Sequence, residues 1–91
     1  MTLTINKKKI ELKYSLRSLM LYENIAEKSF LPQTLTDVVT YFYCVVVTSA
    51  NDYTISFEDF VNILDNNPDY MSKFGDWMNK ISENTDQLKK E

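Results

Sequence analysis

The stretch "DVVTYFYCVVVTSA", residues 37–50, decides how the rest of the chain is read: nine of the ten residues from Val38 to Val47 are aromatic, aliphatic or cysteine. As a membrane helix the run is too short, because ten helical residues reach about 15 Å against a hydrocarbon core of about 30 Å. As a strand it would reach about 33 Å, well past the usual length of about five or six residues, although Val, Tyr and Phe favour strands. A helix start is credible at Thr36 and Asp37, where an acidic first turn suits the helix dipole. Apolarity on every side is also what a helix buried in a core shows. The segment therefore reads as a central buried helix over about residues 36–49. Uncharged and free of proline, "YFYCVVV" is an aggregation hazard whenever it is exposed.

The flanking segments have to cover it. Residues 2–13 alternate, with Leu3 and Ile5 between polar neighbours and then Ile10 and Leu12 likewise, which predicts a β-hairpin with Asn6, Lys7 and Lys8 as a solvated loop. Ser15 can cap a helix over about 15–28, with Tyr14 and Leu19 as a hydrophobic staple. Leu16, Leu19, Met20, Ile25 and Ala26 supply its apolar spacing, and Glu23 and Glu27 its wet side. "SFLPQTLT" interrupts the pattern at Pro32, which pushes Leu31 out of helical geometry. After a turn at "NDYT", Ser56 and Asp59 resemble a capping box opening a short helix over about 56–65, with Ile55 and Phe60 as its staple. Asn67 followed by Pro68 predicts the start of a last helix, about 68–82.

That helix carries Met71, Phe74, Met78, Ile81, Thr85 and Leu88 at alternating spacings of three and four, an a/d seam weakened by Gly75. Tyr70, Met71, Phe74, Trp77 and Met78 form its Met/aromatic stripe, a composition that suits core packing and an adaptable partner groove equally well. The expected fold is α+β and predominantly helical: an N-terminal β-hairpin followed by about four α-helices. One globular domain spans residues 1–82, and a polar tail covers 83–91.

Ninety-one residues are enough for one apolar core. A net charge of −3 offers no electrostatic footprint for nucleic acid. Cys44 is the sole cysteine, so no intrachain disulfide forms. With an N-terminus unlike a signal peptide, the expected setting is reducing and cytoplasmic.

Catalytic chemistry is hard to assemble from these residues. The chain has no histidine, Cys44 has no cationic neighbour in sequence, and the carboxylate pairs Glu58/Asp59 and Glu23/Glu27 have spacings common on solvated helix faces. No enzymatic role and no cofactor are expected. Asp65, Asn67, Asp69 and Asp76 fall at calcium-loop positions, but Tyr70 stands where the sharp turn needs glycine and Pro68 begins a helix. Capping explains these residues better, and no metal site is expected.

The order of the elements carries a resemblance. "LTINKKKIELKYS", "LRSLMLYENIAEKSF", the buried helix and "NDYTISFEDFVNILDNNP" follow one another as in the small tail assembly chaperones of long-tailed phages and prophages, particularly those of low-GC Gram-positive hosts. The likeness spans about Leu3 to Pro68. Its most telling pieces are "YENIAEKSF", close to a helix ending in a Gly-Lys-Ser-Phe-like turn, and the helix start "TISFEDF". Ala26 and Glu27 stand where Thr-Gly or a similar pair would be expected. The resemblance implies a protein that binds the tape measure protein, keeps that long helical chain soluble, and helps tail tube subunits assemble around it, often with a longer frameshifted form. The stripe of Tyr70, Met71, Phe74, Trp77 and Met78 is then the expected client contact, by groove packing. The alternative is a self-assembling structural or adaptor subunit whose last helix makes homotypic contacts.

Overall fold

The computed structural model describes residues 1–28, 34–50 and 55–89, with side chains as far as Ile81. The chain forms strands β1 (Thr2–Ile5) and β2 (Lys8–Glu11), then helices α1 (Leu16–Ala26), α2 (Leu35–Ser49), α3 (Phe57–Asn66) and α4 (Asp69–Lys89). The predicted α+β, predominantly helical fold is the one observed. The break placed at residues 29–33, the turn at residues 51–54 and the end of the tail at residues 90–91 lie outside the described residues.

The hairpin turns on two residues rather than three. Asn6 and Lys7 both take positive φ, 50° and 68°, as a type I′ turn requires, so Lys8 pairs directly with Ile5 and Leu3 with Ile10. Register explains why. A three-residue loop in simple register would set Leu3 opposite Glu11 and put the two apolar pairs on opposite faces, whereas the two-residue loop gathers Leu3, Ile5, Ile10 and Leu12 on one buried face. Lys7 holds a left-handed conformation that suits glycine. Lys7→Gly should therefore raise stability by about 1 kcal/mol, visible as a melting temperature higher by about 5 °C.

Helix α2 is the axis of the fold. Tyr41, Phe42, Cys44, Val45 and Val46 are buried, and Val38, Val39 and Tyr43 pack partly against the same core. Burial of this kind overrides the β-propensity of the valines, which is a weak preference beside tertiary packing. Two threonines tolerate the helix by bonding back to it: Thr40 Oγ1 donates to the Thr36 carbonyl at 2.7 Å and Thr48 Oγ1 to the Cys44 carbonyl at 2.8 Å. The cap is Thr34, not Thr36. Its hydroxyl accepts from the Asp37 N–H at 3.2 Å while Asp37 Oδ2 accepts from the Thr34 N–H at 3.3 Å, a reciprocal box that Thr36, next to Asp37, could not make.

The other elements close round α2. Helix α1 starts at the predicted cap, where Ser15 Oγ accepts from the Ser18 N–H, and stops at Glu27, whose φ of 59° ends the helix two residues before the expected turn is complete. Helix α3 is opened by Ser56, which accepts from the Asp59 N–H at 3.1 Å. The Asn67 side chain acts backwards: its amide donates to the Ile63 carbonyl at 2.9 Å and so finishes α3, while its backbone carbonyl accepts from the Tyr70 N–H at 2.9 Å as α4 begins at Asp69. The sequence predicts an end to α4 near residue 82. Its backbone instead runs on to Lys89, because no proline or glycine follows Gly75 to break it.

Gly75 sits in α4 with ordinary negative φ and open space where a Cβ would go. Gly75→Ala is expected to stabilise the protein by about 1 kcal/mol in urea or thermal unfolding, through the backbone entropy that glycine loses in a helix.

Candidate functional site

The Met/aromatic stripe of α4 lies against the protein's own core. Phe74 is fully buried, with its ring stacked on Phe42 at a centroid distance of 4.0 Å and 3° between planes, and with Tyr41 at 6.1 Å. Trp77 stacks on Phe74 at 5.5 Å. Tyr70 reaches the hairpin, its hydroxyl donating to the Thr4 carbonyl at 2.9 Å. Met71 and Met78 pack partly on the core beside them. The structure thus brings all five residues together, as helical spacing requires, and uses them to fasten α4 to α2 and β1. Of the two roles open to the stripe, core is the one these contacts fill. Phe74 has no surface to offer a partner, while Tyr70, Met71, Trp77 and Met78 keep part of theirs.

The face with apolar groups turned outward is on α1. Leu16 is 72% exposed and Met20 54%, one helical turn apart and so on one stripe. The spacing of Leu16, Leu19, Met20, Ile25 and Ala26 predicts that these residues face inward. Leu19 and Ala26 do pack partly on the core, but the helix is rotated so that Ser18 and Tyr22 are buried and Leu16, Met20 and Ile25 are exposed. The reason is a polar seam between α1 and α2. Ser18 Oγ donates to the Ser15 carbonyl at 2.7 Å and lies 3.5 Å from the Tyr41 hydroxyl, and the Tyr22 hydroxyl donates to Asp37 Oδ1 at 3.3 Å. Lys28 Nζ completes the seam with an ion pair to the same Asp37 oxygen at 2.9 Å. With its hydrogen bonds satisfied, a serine packs inside and a leucine two residues earlier is left outside. Leu35, at the start of α2, is likewise 71% exposed. Overpopulation was the available signal: residues 16, 19, 20, 21, 22 and 25 of α1 are all apolar or aromatic, more than one helix face can bury.

The titratable groups near this seam are tuned by burial. Burial, followed by the charge of Asp37, pushes the Tyr22 hydroxyl above its ordinary value. Burial does the same for Tyr41. The Lys28 ammonium is raised chiefly by its hydrogen bond to Asp37. Burial pushes the Cys44 thiol up to about 11, which leaves it protonated and a poor nucleophile near neutral pH. Asp37 is engaged by Tyr22, Lys28 and Thr34, so its role is to hold α1 on α2.

The calcium-loop positions have other occupations. The Asn67 amide is directed at Ile63, and Asp69 pairs with Lys73 at 3.2 Å. Among the described residues no three His, Cys, Asp or Glu side chains converge on one point, and no helix is long and apolar enough to cross a membrane. Compared with protein-family models, with curated proteins and with solved structures, the chain matches none.

Proposed function

We propose that the protein is a non-enzymatic tail assembly chaperone of a long-tailed phage or prophage, acting in the host cytoplasm on the tape measure protein and assisting the assembly of tail tube subunits around it. The reading rests on the order of elements from Leu3 to Pro68, a charged-turn hairpin and then three helices with the second of them buried, which is the order the resemblance implies. The observation that carries it is the outward apolar stripe of Leu16 and Met20 on α1. Amphipathic client helices dock on a surface of this kind by packing their apolar face against it, and methionine adapts to successive segments of a long, variable chain. The partly exposed edges of Trp77 and Met78 provide a second surface for the same client.

Co-expression with the tape measure protein of a long-tailed phage tests the proposal. The client should be soluble with the wild-type protein and insoluble with the double variant Leu16→Glu/Met20→Glu. Stability of that variant should stay within about 0.5 kcal/mol of wild type, because both side chains are exposed. A client equally insoluble with and without the protein would sink the proposal. A self-associating protein whose oligomer, seen by sedimentation, is dissolved by Met78→Glu on α4 would favour the adaptor-subunit reading.

A further inference from the structure

The two-stranded sheet has two edges, and the protein treats them differently. In a two-residue hairpin the pair flanking the turn, Ile5 and Lys8, exchanges both backbone hydrogen bonds, and bonded pairs then alternate with unbonded ones. The phase is fixed independently by the Leu12 N–H, which donates to the Met1 carbonyl at 2.8 Å. Thr2 and Thr4 therefore direct their backbone groups out of β1, and Lys9, Glu11 and then Lys13 direct theirs out of β2. On the β1 side the Tyr70 hydroxyl of α4 donates to the Thr4 carbonyl in the middle of the strand. On the β2 side only the end is closed, where the Lys13 N–H donates to Ser49 Oγ at 2.9 Å. The outward N–H and C=O groups of Lys9 and Glu11 have no hydrogen-bond partner among the described residues.

Beside this edge lies a depression of about 260 Å³, lined by residues 8–11 and Lys13 of the hairpin and by Ser49 and Ala50 at the end of α2. Its charge is lopsided for a protein whose net charge is −3. Glu11 is occupied by the Thr2 hydroxyl and by the N-terminal ammonium at 3.7 Å, whereas Lys9 and Lys13 are in no ion pair among the described residues. Side chains of Lys9, Glu11 and Lys13 share the solvent face of the strand, since Ile10 and Leu12 take the other.

We propose that the open edge of β2 binds an extended acidic segment of a partner protein as a third strand. Its backbone pairs with Lys9 and Glu11, its carboxylates lie beside Lys9 and Lys13, and its alternate small apolar side chains settle over Ser49 and Ala50. Backbone pairing supplies affinity and the lysines supply choice of partner. A second copy of this chain is the poorer occupant: paired about Glu11 it would set Lys9 against Lys13, and paired about Ile10 or Leu12 it would rely on a Glu11 carboxylate already held by the Thr2 hydroxyl and the N-terminal ammonium. This surface is separate from the α1 stripe and stands or falls without it.

The test is fluorescence anisotropy with a labelled peptide of alternating Val and Glu, against the same peptide with Lys for Glu. The acidic peptide should bind, more weakly as salt rises, and the basic one should not. Lys9→Pro removes an outward N–H that the hairpin itself does not use, and should raise the dissociation constant by about tenfold. The double variant Lys9→Gln/Lys13→Gln keeps the backbone and should bind the two peptides alike; it decides the matter if circular dichroism shows Lys9→Pro unfolded. Amide shifts on titration should centre on residues 8–13. No binding, equal binding of both peptides to the wild-type protein, or binding untouched by a folded Lys9→Pro would overturn the proposal. So would a wild-type dimer that Lys9→Pro dissolves, which would make the occupant a second copy.

Discussion

Phe74→Ala should cost about 3–5 kcal/mol and lower the melting temperature by about 20 °C, and Phe74→Asp should abolish the cooperative unfolding transition. The basis is position. Phe74 is fully buried against Phe42 and Trp77, face to face with the first at 4.0 Å, so truncation removes the aromatic contact surface of α4 on α2 and leaves a cavity that two rings cannot collapse into. A domain of this size has about 5–10 kcal/mol in all, so the alanine variant should be marginal, and a buried aspartate with no cation nearby should exceed what remains. Trp77→Ala offers the internal contrast. Its ring is only partly covered, and its loss should cost about 1–2 kcal/mol. Denaturant titration followed by circular dichroism checks all three. If Phe74→Asp melts like the wild type and loses only an assembly, the stacking on Phe42 does not hold α4.

The second large effect is expected in alkali. Burial holds the Cys44 thiol near 11, against 9.0 in a free chain, so between these values the native state keeps a proton that the unfolded state has lost. The native state then binds more protons, and stability must fall as pH rises, beginning near 9 and complete near 11. The shift corresponds to about 2–3 kcal/mol. Tyr22 and Tyr41, raised by burial, act in the same direction above 10.0, and Lys28, raised by Asp37, loses its contribution as it deprotonates above 10.5. Melting temperatures should therefore be flat around neutrality and drop steeply beyond pH 9. Cys44→Ala should begin lower, by about 1 kcal/mol for the lost packing, and fall less between pH 9 and 10. Parallel decline of the two proteins over that interval would show that the thiol is not responsible.

Most of the architecture could be read from local pattern, and the misreadings share a cause. Alternation over residues 2–12 found the hairpin and the all-round apolarity of residues 38–47 found the central helix, because each signal depends on which residues are apolar and not on which partner they meet. The turn is one residue shorter than its pattern suggests because Lys7 occupies a left-handed position that usually announces itself with glycine. The rotation of α1 was misjudged because Ser18 counts as polar by type, and only the Ser15 carbonyl and the Tyr41 hydroxyl make it an inside residue. The side chain of Asn67 serves the helix before it while its carbonyl serves the helix after it, a division that side-chain direction makes and composition does not.

The candidate site was legible in part for the same reason. Tyr70, Met71, Phe74, Trp77 and Met78 follow from helical spacing as a single face, but whether that face meets the protein itself or another chain depends on what lies across from it. Phe42 lies across from it, thirty-two residues away in sequence. Leu16 and Met20 became the outward pair only once the polar seam had fixed the rotation of their helix.

The stacking of Phe42 on Phe74 also has a consequence for synthesis on the ribosome. The run ending at Val47 leaves the ribosome before Phe74 does, and 74 − 47 = 27 residues separate the two positions. At about 5–20 residues per second, roughly one to five seconds pass in which "YFYCVVV" has emerged and its aromatic cover has not. A chain released before that point carries its most aggregation-prone segment uncovered. Truncation of the chain before Phe74 should therefore lower its soluble yield far more than truncation after residue 81.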